Sequence, residues 1–228
     1  MNFDNRVLGT IEIFGHTIWI TETHRNTWII MIFLIIAALA IRFFLVRKLT
    51  EIPTGKLNVL ETIIEMFDNF VKSIMGTKYR GYGKWFFGVF VFIVASNFSG
   101  LVNLRPPTAD IATTLALSVS TFAIMHFSGF LKNTKEYIKS FFEPWPIFFP
   151  VNVIGELSIP LSLGFRLFGN IISGFIIVGM IYFLLPWFLT MGLPAFLHAY
   201  FDVFAGLMQA FIFTMLSMTF VRNKLKSN

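Results

Sequence analysis

Arg166 is the residue that calls for a chemical explanation first. It stands in an apolar stretch from Val151 to Leu185 whose one other charge is Glu156. A guanidinium does not shed its proton to escape burial. On insertion scales a central Arg costs about 2.5–3.5 kcal/mol in a membrane helix. The chemistry such a charge offers is to attract, release and block ions; the structural alternative is a pair with an internal carboxylate that pins two helices. At helical spacing Ser158, Ser162, Arg166, Asn170 and Ser173 share a face, with Gly155, Gly169 and Gly174 thinning the helix nearby. The last apolar stretch repeats the pattern with His198, Asp202, Gly206 and Gln209. Asp202 is a second intramembrane ionisable group, and the internal partner for Arg166 if the role is structural. Asp110, Thr114, Ser118 and Thr121 line one face of another stretch, with His126 near its end; Ser96, Ser99 and Asn103 line a fourth. Such stripes suit hydrated paths, and small residues also let helices approach closely.

Other chemistries are missing. There is no Cys, hence no thiolate metal site and no cysteine nucleophile. No phosphate-binding G-x-x-x-x-G-K-[ST], no H-E-x-x-H and no G-x-S-x-G occurs. The His and carboxylate residues lack metal spacing, no cofactor is implied, and no residue is expected to be catalytic. The chain alone is therefore expected not to be an enzyme.

These residues must be held by membrane helices. Of 228 residues, 56% are hydrophobic and 13% charged, and 30 are Phe. Soluble domains run about 45–50% apolar and about 25% charged. The expected fold is an all-α integral membrane protein with five membrane-embedded helices, near 27–46, 85–104, 111–131, 151–185 and 195–221. An amphipathic surface helix is expected at 56–75, where Leu57, Leu60, Ile64, Phe67, Val71 and Ile74 oppose Glu61, Glu65, Asp68 and Lys72. Residues 1–26 read as an N-terminal extracytoplasmic segment and 27–228 as the membrane domain; no cleavable signal peptide is expected. Arg105-Pro106-Pro107 should stop the second span, and Pro160 should bend the fourth.

The net charge of +6 suits cytoplasmic loops better than nucleic acid, and no nucleic-acid partner is expected. With five spans, one side collects Arg47, Lys48, Lys56, Lys72, Lys78, Arg80, Lys84, Lys132, Lys135, Lys139, Arg222, Lys224 and Lys226. The other has only Arg6, Arg25 and Arg105. The positive-inside rule then puts the N-terminus outside and the C-terminus in the cytoplasm.

The segment SLGFRLFGN, residues 162–170, closely resembles the signature of subunit a of F-type ATP synthases, and QAFIF at 209–213 resembles the second signature of that family. Pro107-Thr108-Ala109-Asp110 and Pro150-Val151-Asn152 resemble its earlier loops, so the likeness runs from about residue 80 to 221. The resemblance implies a stator in a bacterial plasma membrane, beside a rotating ring of c subunits and held by peripheral-stalk b subunits. Two offset half-channels would carry protons or sodium ions to and from the ring carboxylates, with Arg166 separating them. It further implies that Asn170 and Gln209 flank Arg166, that Glu156 serves the cytoplasmic half-channel and Asp202 the outer one, and that the long fourth helix is tilted. Ser158, Ser162, His198, Asp110 and Ser118 are secondary candidates for lining. Phe175 departs from the family, some members of which carry an ionisable residue there.

Two other readings stand beside this one. A secondary transporter could use Arg166 as a substrate counter-charge, but neither inverted repeats nor paired broken helices are evident. A purely structural membrane scaffold would leave Arg166 and Asp202 unexplained.

Overall fold

A computed structural model describes residues 7–13, 16–45, 56–102, 104–184 and 193–226. The chain forms two compact units, Met1–Pro107 and Thr108–Asn228. Five of the described helical segments are long and apolar enough to cross a membrane: Glu22–Phe44, Thr77–Val102, Ile111–Lys132, Pro146–Leu184 and Phe196–Leu225. The protein is an integral membrane protein with an almost entirely helical fold.

The first unit opens with a feature that the sequence reading did not assign. Strands β1 (Val7–Ile13) and β2 (His16–Thr21) pair antiparallel, with Thr10 opposite Trp19 and an irregularity between Val7 and Gly9. Their Val, Ile and Thr residues suit a pleated surface. The all-α description thus holds for the membrane helices, and a two-stranded hairpin precedes them. Helix α1 (Glu22–Ala40) runs into a wider π-helical turn at Ile41–Leu45. It starts ahead of the apolar run because its polar first turns are packed. Thr23 and Asn26 are buried, and the Asn26 side-chain amide donates to the Arg105 carbonyl over 3.0 Å.

Helix α2 (Lys56–Met75) has the bounds that its periodicity predicts. Phe67 meets Phe87 and Phe90 of α3 (Gly83–Phe98) at ring-centroid distances of 5.0 and 5.6 Å, and Val71 and Met75 are buried. On its polar side Asp68 lies 2.8 Å from both Lys72 and Arg80. The hydrogen bond from Lys72, reinforced by Arg80, holds the Asp68 carboxyl below its ordinary range. Gly76 ends the helix at φ +83°, a conformation that favours glycine. Ser99–Val102 adds a short 3-10 turn after α3, before Arg105-Pro106-Pro107 ends the helical run.

The second unit is a bundle around α4 (Ile111–Lys132), which packs on α6 (Phe149–Leu184) and on α8 (Gly206–Lys226). Short α5 (Thr134–Ser140) follows α4, and α7 (Leu193–His198) leads through a π-helical segment, Ala199–Ala205, into α8. Asp110 caps α4 by accepting from the Ala112 amide over 3.0 Å. The α4–α6 contact is close because α6 offers Gly164. A Cβ there would stand 2.8 Å from Leu115 Cδ2 and 2.9 Å from Ser118 Oγ. Met125, Leu163, Leu167, Val178, Phe213 and Met218 form the apolar core. Helix α6 runs on through Pro160, and its 36 residues make it about 54 Å long. The expected end of the first span at residue 46, and the expected connector over 186–192, lie outside the described residues.

Candidate functional site

The face of α6 that carries Arg166 points away from the chain's own core. Ser158, Ser162, Arg166, Asn170 and Ser173 are all exposed, whereas Leu163, Gly164, Leu167 and Gly174 are buried. The Ser158 and Ser173 hydroxyls donate back to the carbonyls of Gly155 and Gly169, each over 2.6 Å. Arg166 is left as the stripe's unsatisfied charge: among the described residues no carboxylate pairs with it.

Both candidate carboxylates are engaged elsewhere. Asp202 Oδ2 lies 2.6 Å from His198 Nδ1, one helical turn earlier in the chain. His198 Nε2 lies 3.2 Å from the Tyr182 hydroxyl, which links α6 to the last helical run. This is a continuous hydrogen-bonded chain of three titratable groups, and it takes Asp202 away from the role of internal partner for Arg166. At the other end of α6, Glu156 Oε1 pairs with the Lys224 ammonium of α8, and Glu156 Oε2 lies 3.8 Å from His126 Nε2 of α4. Glu156 and Lys224 border a cavity of about 400 Å³ that Asn152, Ser140 and Phe141 also line.

Between these ends, Asn170 Nδ2 donates to Gln209 Oε1 over 2.7 Å. The two residues that flank Arg166 by resemblance thus meet across α6 and α8. Gln209 is 4% exposed, and its Nε2 is buried without a partner. The amide group is therefore held in one orientation, with a donor still to spend.

The remaining candidates are distributed differently. Ser118 is buried in the α4–α6 contact, and its hydroxyl donates to the Leu115 carbonyl over 3.0 Å. Thr114 and Thr121 are likewise buried, with hydroxyls bonded to carbonyls of their own helix. Phe175 is half-buried on α6. Among the described residues no group of three or more His or carboxylates gathers as a metal site.

Three participants have no signal in the sequence. Lys224 is indistinguishable there from a charge that sets orientation, and Tyr137 and Tyr182 are ordinary interfacial aromatics. Tyr137 hydrogen-bonds His126 Nδ1, and burial with the neighbouring Glu156 charge pushes its phenol up to about 12.

The family model described as ATP synthase A chain matches residues 27–222. ATP synthase subunit a of Moorella thermoacetica is 38% identical over 218 residues, covering 95% of this chain and 93% of that one. Subunit a of Geobacter sulfurreducens is 36% identical over 205 residues, covering 88% and 86%. A subunit a described as sodium ion specific, from Propionigenium modestum, is 31% identical over 223 residues, covering 90% and 74%.

Proposed function

The chain belongs to the ATP synthase A chain family, and on that premise we propose that Arg166 is the fixed cation facing the carboxylates of a rotating c-ring. In this reading two half-channels meet at that charge. The inner one reaches the ring past Glu156, with Ser158 and Ser162 on the same helix. The outer one runs through Asp202 and His198. Asn170 and Gln209 hold the surface around Arg166. The translocated ion is a proton or a sodium ion, and peripheral-stalk b subunits keep the stator still. The N-terminus lies outside the cell and the C-terminus in the cytoplasm.

One observation supports this above the others. Among the described residues no carboxylate pairs with this exposed guanidinium on an apolar helix, although Glu156 and Asp202 are both available in sequence. A charge left so in lipid costs several kcal/mol, on the order of 2.5–3.5 at the least. A carboxylate supplied by a partner relieves that cost. The same cation favours the ionised form of an arriving carboxylic acid, and so draws the ion off it. A permanent positive charge also blocks an ion from crossing between the half-channels except on the ring, so the ring must turn.

Arg166→Ala is expected to abolish ion-driven ATP synthesis in liposomes that hold the assembled complex, and to permit passive ion flux. Arg166→Lys should also fail in synthesis, because a desolvated ammonium can lose its proton. Synthesis by Arg166→Ala near the wild-type rate would overturn the proposal.

A further inference from the structure

Where α4, α5, α6 and α8 come together, two buried polar atoms face each other unpaired. Glu156 Oε2 and His126 Nε2 each lack a hydrogen-bond partner, and 3.8 Å separates them. The opposite ends of both side chains are occupied. Glu156 Oε1 receives the Lys224 ammonium, and His126 Nδ1 is bonded to the Tyr137 hydroxyl. A protonated Nε2 would close on the carboxylate to the ordinary hydrogen-bond distance of about 2.8 Å. In the tautomer whose Nδ1–H donates to the phenol oxygen, Nε2 is bare and faces the free carboxylate oxygen. Two acceptors facing across a buried gap form a site with room for one proton.

We propose that His126 and Glu156 together bind one proton, between Nε2 and Oε2, at the inner end of the half-channel that Glu156 serves. This rests on the stator reading given above. The step balances simply. A proton from the cytoplasmic cavity bonds to Nε2 and gives an imidazolium beside a carboxylate. Its transfer to Oε2 gives a neutral imidazole beside a carboxylic acid, and loss of that proton toward the ring restores both groups. Nδ1–H never leaves, so the ring needs no tautomeric reset.

Four elements supply the groups around this proton: His126 from α4, Tyr137 from α5, Glu156 from α6 and Lys224 from α8. Tyr137 stays a neutral phenol throughout the working pH range, since its pKa is pushed up to about 12. Lys224 is the counter-cation of the empty site. The ammonium that pairs with Glu156 also lies 5.8 and 5.5 Å from the ring centroids of Tyr137 and Phe141, so these rings help to hold the cation when the proton arrives. Its repulsion keeps the bound proton from dwelling.

The test is ATP-driven proton uptake by the whole complex in liposomes with the cytoplasmic face outward, across about pH 5 to 8, where a histidine site titrates. His126→Gln should lower the rate about tenfold and flatten the pH profile, as loss of a proton carrier does. Lys224→Met should move the wild-type midpoint to higher pH, because removing a cation favours the bound proton. Tyr137→Phe should move it to lower pH, because Nδ1–H loses its acceptor. If His126→Gln fails to assemble, these opposite shifts decide the matter, and an unmoved midpoint in both overturns the proposal. A uniform loss of rate in His126→Gln with an unchanged midpoint also overturns it, as does sodium uptake in place of proton uptake by the wild type. Arg166→Ala in the same preparation separates the two readings. Continued ATP synthesis there removes the stator reading, whereas its loss beside a wild-type profile in His126→Gln removes this inference alone.

Discussion

Helices α4 and α6 carry the same kind of polar stripe and use it in opposite ways. Thr114, Ser118 and Thr121 of α4 are turned inward, buried, with hydroxyls spent on carbonyls of their own helix. Ser158, Ser162, Arg166, Asn170 and Ser173 of α6 are turned outward. In α4 the small polar residues let neighbouring helices approach, and they leave nothing unsatisfied. In α6 they surround a charge that no carboxylate among the described residues pairs with. Small polar residues at helical spacing therefore mark a face without saying what meets it. The discriminating residue is the one that cannot be satisfied locally.

The contrast can be broken hardest at the two glycines on opposite sides of α6. Gly164→Leu forces side-chain atoms into Leu115 and Ser118, at a cost of about 1–3 kcal/mol for overpacking. The subunit should be depleted from purified complexes, and its thermal unfolding should shift down. A Cβ added by Gly169→Ala meets nothing within 4 Å among the described residues. The subunit should keep its stability while ATP synthesis falls, if a partner passes close to Arg166. Equal tolerance at both positions would erase the distinction between an inner and an outer face.

A smaller effect is expected where the two faces communicate. Asn170→Ala removes the donor to Gln209 Oε1 and leaves a buried amide with neither group paired. Unsatisfied buried polar groups cost about 1–3 kcal/mol. Denaturation of the detergent-purified subunit should show that loss, and Asn170→Asp should restore only part of it. The smallest effect belongs to Ser118→Ala. Intramembrane hydroxyl bonds average about 0.6 kcal/mol. Stability and ion flux should both stay near wild type, and a marked loss of flux without loss of assembly would make Ser118 part of the pathway.

Much of this architecture is legible in the sequence. Apolar runs locate the spanning helices, and the three- and four-residue spacing from Leu57 to Ile74 gives α2 its bounds. The hairpin is harder to read because Glu12 and the short pieces on either side look like an irregular surface segment; strand pairing supplies what each strand lacks alone. The stripe around Arg166 is legible, and so is the i,i+4 relation of His198 and Asp202. Its meaning changes with the contact, because pairing with His198 removes Asp202 as an internal counter-charge. The cluster at Glu156 is not legible. Glu156 and Lys224 are 68 positions apart, and only the packing of α8 beside α4 and α6 brings them together.

The length of α6 has a consequence in plain trigonometry. A helix about 54 Å long that stays within a hydrocarbon core about 30 Å deep is carried about 45 Å sideways. Glu156 and Tyr182 stand near its two ends, on opposite sides of Arg166. Groups so placed are separated in the membrane plane as much as across it. A force directed straight through the membrane then has no straight route to follow. On the proposed stator reading, an ion that passes between those ends spends part of its journey travelling along the membrane, and motion along the plane past a fixed post is what a rotor converts into torque.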